Sequence, residues 1–383
     1  MNPVDKKILI LTSSTGGGHD SAAAALNTAL EKNGAQCEVR NFLDFTPKAK
    51  KTVLSKGHVF IYRHAPLLFA LGYRFEEVFP ENLYANYARY AHPIKRYVVN
   101  GGYDVVVCVH IFPMLMLTAA QKKYGYDVPT YFISTDYTCS PGAGQMNPKM
   151  LFIPPGCRKE FERSYAGRTV PPIAETGIPV AEAFRERVSK EEARRKLIES
   201  AKEKHDLGKS SFFSLLEAER KLVMVSAGSM GCGPLKKISE ELAKIRPDVM
   251  VAVFTGNNKK LYRQLEARNR ETGNLMPLGF TKEMPLWMHA ADLMISKPGG
   301  LTSTEAATAG LPLLLFDEVP GLETHNMAYF VKRGCAAREK TAERLIRRAS
   351  LMLDNEEELA GIRKRQKKLF PGTAADVITS LLF

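Results

Sequence analysis

Paired cysteines are missing from this chain. Its six cysteines, Cys37, Cys108, Cys139, Cys157, Cys232 and Cys335, are scattered with no C-x-x-C pair, so neither a zinc ribbon nor a disulfide framework is indicated. Reduced thiols in a cytosolic protein fit that usage. Long hydrophobic runs are missing too. The longest apolar patch, between His64 and Tyr73, falls far short of a membrane span. The N-terminus offers two lysines and a brief strand-like run, not a secretion signal. The dinucleotide fingerprint G-x-G-x-x-G is not matched either: Gly16, Gly17 and Gly18 are followed by His19-Asp20-Ser21. What is present is a chain of 383 residues with 45% hydrophobic content, enough for two ordinary domains. Lys plus Arg number 54 against 41 Asp plus Glu, a net charge of +13. That excess suggests an anionic partner: nucleic acid, anionic lipid or nucleotide.

Periodicity gives the architecture. Lys7 to Thr12 is an apolar strand, Ser13 to His19 a glycine-rich turn, and Ser21 to Lys32 a helix with Ala22, Ala25, Leu26, Ala29 and Leu30 on one face. Asn33-Gly34 stops it, and Gln36 to Phe42 is the next strand. Further buried strands are expected at Tyr103–Val109, Pro129–Ser134 and Lys149–Pro154. A second series starts after the Ser189 capping box, with strands at 222–227 and 249–255 around the turn Gly228-Ser229-Met230-Gly231-Cys232-Gly233. The stretch from Ala201 to Ser214 reads as a loose, solvated surface insertion. Two β-α-β series, each opening on a glycine-rich turn, predict an α/β protein of two nucleotide-binding-like domains.

The densest chemistry lies between Met294 and Ala328. A strand ends at Ser296, Pro298-Gly299-Gly300 breaks it, a helix restarts at Leu301, and Leu311 to Phe316 is again a strand. Glycines there let backbone N–H groups approach a ligand, and the helix start adds free donors and the positive end of the dipole. Thr302, Ser303 and Thr304 add hydroxyls, and Glu305 is placed to accept from a sugar hydroxyl. The set suits a diphosphate with an attached ribose. For a bare Gly-Gly, a capped helix after a tight turn is the commoner explanation.

The whole string Lys297-Pro298-Gly299-Gly300-Leu301-Thr302 with Glu305, followed by Pro320-Gly321-x-Glu323-x-x-Asn326, resembles the donor half of GT-B glycosyltransferases. It is most similar to the bacterial diacylglycerol glucosyltransferases and plant monogalactosyldiacylglycerol synthases, and more distantly to the peptidoglycan enzyme that glycosylates lipid I. The resemblance implies a GT-B fold, two Rossmann-like domains with parallel sheets facing across a cleft. It implies an acceptor-binding, membrane-facing domain over 1–178, a UDP-sugar-binding domain over 179–369, and a terminal helix over 370–383 packing back on the first domain. The glycine turn ending in His19 looks like that family's G-G-G-H loop, where the His is the favoured base; otherwise His19 is only the first residue of a helix. Asp136 matches the Thr-Asp that closes the equivalent strand and would assist His19 or the acceptor, although a lone Asp after a strand is often a cap. Phe280 resembles the residue that meets the uracil, against the alternative of a core Phe. Gly18, Gly228, Ser229, Gly299, Gly300, Thr302 and Ser303 would surround the donor, Glu305 its ribose, and Glu323 and Asn326 its sugar.

The expected activity is therefore inverting transfer of a hexose from UDP-glucose or UDP-galactose to a lipid such as diacylglycerol. The chain contains no Asp-x-Asp, so helix N-termini and amides would stabilise the leaving diphosphate and no metal or other cofactor is expected. Two departures bear on specificity. Relatives follow Thr-Asp with a His and an aromatic, where this chain has Cys139-Ser140-Pro141; they often have Gln after Pro-Gly, where it has Leu322.

Between Lys48 and Tyr97 cations outnumber acids, with Phe60, Tyr62, Phe69, Tyr73, Phe75, Phe79, Tyr84, Tyr87 and Tyr90 interleaved. Such a segment suits an anionic membrane interface, or else is a helical pair whose rings are core. No nucleic-acid module is recognisable, so a nucleic-acid partner is not expected. A cytoplasmic protein bound peripherally to the inner face of the membrane follows. The competing functions are a glycosyltransferase with a non-lipid acceptor, a UDP-sugar epimerase, a nicotinamide-dependent dehydrogenase with Asp44 as ribose reader, and a non-catalytic basic protein binding membrane or RNA.

Overall fold

A strand buried on both faces must be apolar at successive positions, and parallel strands between helix layers are of that kind. Lys7–Thr12, Val105–Cys108, Leu222–Ser226 and Leu293–Ser296 show it, with nearly every residue inside. A computed structural model describes residues 6–13, 17–47, 51, 57, 71–72, 74–75, 78–203, 211–229, 231, 233–316 and 321–383, the side chains of 211, 215 and 268–271 excepted. Gly16, Pro320, Met230, Cys232 and the aromatics Phe60, Tyr62, Phe69 and Tyr73 lie outside the described residues.

The elements in chain order are β1 (Lys7–Thr12), α1 (Gly18–Lys32), β2 (Gln36–Asn41), α2 (Pro80–Ala88), α3 (Ala91–Gly101), β3 (Val105–Cys108), α4 (Ile111–Tyr124), β4 (Thr130–Ile133), β5 (Met150–Ile153), α5 (Arg158–Ser164) and β6 (Ile173–Glu175). Then follow α6 (Lys190–Glu203), α7 (Ser211–Glu217), β7 (Leu222–Ser226), α8 (Leu235–Ile245), β8 (Met250–Phe254), α9 (Lys259–Thr272), β9 (Leu275–Leu278), α10 (Met284–Ala290), β10 (Leu293–Ser296), α11 (Gly300–Thr308), β11 (Leu313–Phe316), α12 (Leu322–Lys332), β12 (Ala336–Glu339), α13 (Ala342–Leu353), α14 (Glu356–Leu369) and α15 (Ala374–Leu382).

Two six-stranded sheets result, ordered β2-β1-β3-β4-β5-β6 and β12-β11-β10-β7-β8-β9, with every pairing parallel. The chain divides into two compact units: Met1–Ala181 with Val319–Asn326 and Gly372–Phe383, and Glu182–Glu318 with Met327–Pro371. In the first unit, α15 returns to the core: Ile378 and Leu382 cluster with Ile8, Leu26 and Leu30, and Lys6 Nζ donates to the Leu382 carbonyl at 2.7 Å. The second core gathers β7, β8 and β10 with α8, α13 and α14 around Val225, Val251, Leu242 and Leu353.

Several expectations need correction. Strands β6, β9 and β12 carry no clear strand signal in the sequence. All three are edge strands, and β9 (LMPL) carries Pro277, which a central strand excludes and an edge tolerates. The presumed loose insertion includes α7, whose Phe212, Phe213 and Leu216 are buried. The basic aromatic segment divides. Leu83, Tyr87, Ala91, Ile94 and Val98 form the buried face of α2 and α3, packed on α4, so Tyr87 belongs to the core. Leu71, Phe75, Val78 and Phe79 are exposed.

Candidate functional site

In an open parallel sheet, loops diverge where the strand order reverses, and ligands bind beyond the C-terminal strand ends there. The first sheet reverses between β1 and β3. At that point Gly17 adopts φ 79° as the N-cap of α1, a left-handed turn that glycine makes without strain. Gly18 and His19 are the first two residues of the helix. Thr12 Oγ1 donates to Asp20 Oδ1 at 2.8 Å, tying the first turn to the end of β1.

His19 Nδ1 lies 3.1 Å from the Val109 carbonyl and 2.9 Å from Thr135 Oγ1. A carbonyl only accepts, so Nδ1 carries the proton and the Nε2 lone pair is left as the basic atom. Burial lowers the His19 pKa, while the charge of Asp136, the Val109 carbonyl and Asp20 oppose that shift. The imidazole is thus neutral, and able to take a proton, at neutral pH. His110 meets it edge-on, ring centroids 4.5 Å apart at 84°. His110 Nδ1 in turn accepts the Phe112 N–H at 3.1 Å, capping α4, and its ring stacks on Phe42.

Asn326 completes this cluster. It is fully buried; its Oδ1 accepts the Tyr137 N–H at 2.7 Å and its Nδ2 donates to Asp136 Oδ1 at 2.8 Å. Glu323 lies one turn earlier, in the first turn of α12.

The second sheet reverses between β7 and β10. After β7, Gly228 has φ 68° and its N–H reaches Ser226 Oγ at 3.3 Å. The Ser229 carbonyl accepts from Asn257 N at 2.9 Å, and the Gly231 carbonyl from Asn258 Nδ2 at 2.9 Å. A Cβ on Gly256 would fall 2.3 Å from the Ser229 carbonyl oxygen, so glycine there permits close contact of the two loops.

After β10, Gly299 caps α11 with no side-chain cap. Its own N–H is used on the Lys297 carbonyl at 2.9 Å. The N–H groups of Gly300, Leu301 and Thr302 have no acceptor among the described residues, as expected of a first helical turn. Thr304 Oγ1 bonds back to the Gly300 carbonyl at 2.6 Å. Ser303 and Ser296 are buried, and neither hydroxyl has a partner among the described residues. Thr302 is half-buried in the first turn. Glu305 follows one turn on, half-buried, with no partner among the described residues; burial pushes its carboxyl up to about 8. Unpaired buried groups of this kind are uncommon and make this turn a candidate binding site.

Phe280 is 75% exposed, which removes the reading of it as a core residue. It lines a cavity of about 320 Å³ with Leu197, Phe213, Leu278 and Trp287.

Comparison with known proteins places this geometry. A family model described as monogalactosyldiacylglycerol (MGDG) synthase matches residues 19–180, and one described as glycosyltransferase family 28 C-terminal domain matches residues 222–377. The chain is 27% identical to the processive diacylglycerol beta-glucosyltransferase of Bacillus licheniformis, over 98% of this chain and 94% of that protein. The chain is a UDP-sugar glycosyltransferase.

The fold of this glycosyltransferase is GT-B. Its structure is similar to MurG of Acinetobacter baumannii, with a TM-score of 0.59, 15% identity and 99% of each chain covered. It is also similar to a UDP-GlcNAc 2-epimerase from Neisseria meningitidis bound to UDP-GlcNAc, with a TM-score of 0.60, 12% identity, and 98% and 99% covered.

Within the glycosyltransferase, the structure brings together His19, Asp136 and Asn326 in the first unit. Gly228, Ser229, Gly299, Gly300, Thr302, Ser303 and Glu305 lie beyond the ends of β7 and β10 in the second. Sequence reasoning missed Thr135, the Val109 carbonyl and the part played by His110. Thr135 adjoins the recognised Asp136 and was within reach. A backbone carbonyl has no residue signature.

Proposed function

We propose that this glycosyltransferase moves a hexose from a UDP-sugar to the hydroxyl of a diacylglycerol-type lipid, with inversion, at a membrane surface. The observation that carries the reading is the first turn of α11. Three amides with no acceptor among the described residues lead into a half-buried carboxyl, likewise without a partner there, one turn away. The amides and the dipole suit a diphosphate, and the carboxyl suits the hydroxyls of a ribose. Phe280 offers an exposed ring for the base. Glu323, in the first turn of α12, would meet the donor sugar.

The names of the relatives support the lipid acceptor, and UDP-bound structures of the same fold support the nucleotide. His19 Nε2 takes the acceptor proton as the oxygen attacks the anomeric carbon from the side opposite the leaving UDP, which inverts it. The amide pocket receives the charge that develops on the diphosphate, and we expect turnover to persist in EDTA. The test is incubation with labelled UDP-glucose or UDP-galactose and diacylglycerol vesicles, followed by extraction. Label in the organic phase supports the proposal; label wholly in water contradicts it.

Gly299 gives a sharper test of the donor turn. Its φ of −68° and ψ of 134° are open to any residue, and a Cβ there would meet nothing within 4 Å. The free protein therefore does not need glycine, whereas a ligand close to the backbone does. Gly299→Ala is expected to fold with an unchanged melting temperature and to weaken UDP binding about tenfold, roughly 1.4 kcal/mol, by calorimetry. Unchanged affinity would place the diphosphate elsewhere.

No helix among the described residues is long and apolar enough to cross a membrane. Phe75 and Phe79, exposed and paired with centroids 4.9 Å apart, suit shallow insertion at the inner membrane face beside cations drawn to anionic lipid. Phe75→Ser with Phe79→Ser is expected to lower partition onto anionic vesicles about tenfold, since each buried ring contributes on the order of 1 kcal/mol or more. Sedimentation of vesicles with the protein reads it, and equal binding by the variant would count against insertion.

A further inference from the structure

Asn326 is the residue whose surroundings match its expected role least well. As a reader of the donor sugar it would need its amide free. Instead its carbonyl and one N–H are committed, at 2.7 and 2.8 Å, to the two consecutive residues Tyr137 and Asp136. It is fully buried, and these bonds span about half the chain.

The loop it grips is the one that holds the base. Thr135 Oγ1 contacts His19 Nδ1, the Asp136 carboxylate acts on the same ring through its charge, and Ser134 Oγ donates to the Asp136 carbonyl at 3.0 Å. Residues 134–137 thus run from the end of β4 past His19 to Asn326, with a hydrogen bond at each step.

We propose that Asn326 is a positioning residue: it fixes the Thr135–Tyr137 loop so that the hydroxyl and the carboxylate stay against His19. The proposal rests on His19 being the base, and it deepens that reading by giving Asn326 a part in base strength in place of sugar recognition. Removing one partner of a buried hydrogen bond costs the other group that bond, so the loop at Asp136 and Tyr137 would lose its tie to Asn326 and shift from its place.

The groups facing His19 are Asp20 on its own helix, the Val109 carbonyl and His110 after β3, and Thr135 and Asp136 after β4. Of these, the Asp136 charge raises the affinity of His19 for a proton. Asn326→Ala should therefore lower the His19 pKa by about half a unit or more, because an opposing charge withdrawn stops favouring the imidazolium.

The experiment is an NMR titration of the His19 ring in the wild-type protein and in Asn326→Ala, with UDP-sugar turnover alongside. The expected result is a lower His19 pKa, kcat reduced about 30-fold, and KM for the UDP-sugar within twofold. Asn326→Leu keeps the site filled by an uncharged side chain and makes neither bond. It is expected to separate kcat from KM in the same way, and it remains readable if the alanine variant does not fold. An unmoved His19 titration, or a raised KM with kcat unchanged, overturns the proposal. If the wild-type protein turns over no UDP-sugar, the transferase reading falls, while the titration still decides the role of Asn326.

Discussion

His19→Ala is expected to lower transfer about 10³-fold, within the range for a general base, while UDP affinity stays within twofold. Two features of the structure set this expectation. The Nδ1–H of His19 is held by the Val109 carbonyl and Thr135, so the ring is fixed in the tautomer whose Nε2 can accept a proton. Burial lowers its pKa from the usual value, so the base form predominates at neutral pH and activity should fall only below the ordinary histidine range. UDP affinity should not move because the donor turn lies beyond β7 and β10, in the other unit. His19→Gln should be no better than alanine, since an amide has no basic atom. Steady-state kinetics with labelled donor, and calorimetry with UDP, read the two halves of the expectation. A His19→Ala protein with more than a tenth of wild-type kcat would remove this residue as the base.

Glu305→Gln is expected to weaken UDP binding about 100-fold at pH 8 and, in the same protein, to raise stability. A ribose diol donating to a carboxylate makes charge-assisted bonds, each of order 1.5–3 kcal/mol, and an amide cannot replace both. The pH dependence follows from the carboxyl that burial raises from 4.5 to about 8. In the free protein Glu305 is protonated at neutral pH; binding hydroxyl donors favours the ionised form and expels the proton. UDP affinity should therefore rise with pH until about 8 in the wild-type protein, with no such contribution from this group in the variant.

Stability runs the opposite way. Between 4.5 and about 8 the folded state holds a proton that the unfolded state has lost, so this group's contribution falls as pH rises through that window. Glu305→Gln removes the loss, which amounts to a few kcal/mol at most, and its melting temperature should exceed that of the wild type most clearly at pH 8. A variant that binds UDP normally would separate Glu305 from the ribose. One that gains no stability at pH 8 would mean that the carboxyl is not held protonated.

The fold is most legible where burial is two-sided; of the edge strands, only β2 follows from the sequence, because it completes the opening β-α-β. β1, β3, β7 and β10 are central in their sheets, so they are unbroken apolar runs; β1, β7 and β10 lead into glycine turns, at the strand ends where ligands bind in such sheets. β9 and β12 lie at sheet edges and lack that signature, and Pro277 argues against a strand anywhere else. Candidate binding residues are legible when they lie in one local string, as from Lys297 to Glu305. A role is hidden when it depends on approach across the fold: Thr135 reaches His19 over 116 residues, and Asn326 reaches Asp136 over 190. Local bonding also redistributes roles inside a recognised string. The Gly299 N–H is taken by Lys297 and the Thr304 hydroxyl by Gly300, so the amides of Gly300, Leu301 and Thr302 are the ones left for a ligand.

A crystal structure of the protein with UDP tests the central claim most directly. The diphosphate is expected against the amides of Gly300, Leu301 and Thr302, with both ribose hydroxyls on Glu305. UDP bound away from the first turn of α11, or there with the Glu305 carboxyl still without a partner, would contradict it.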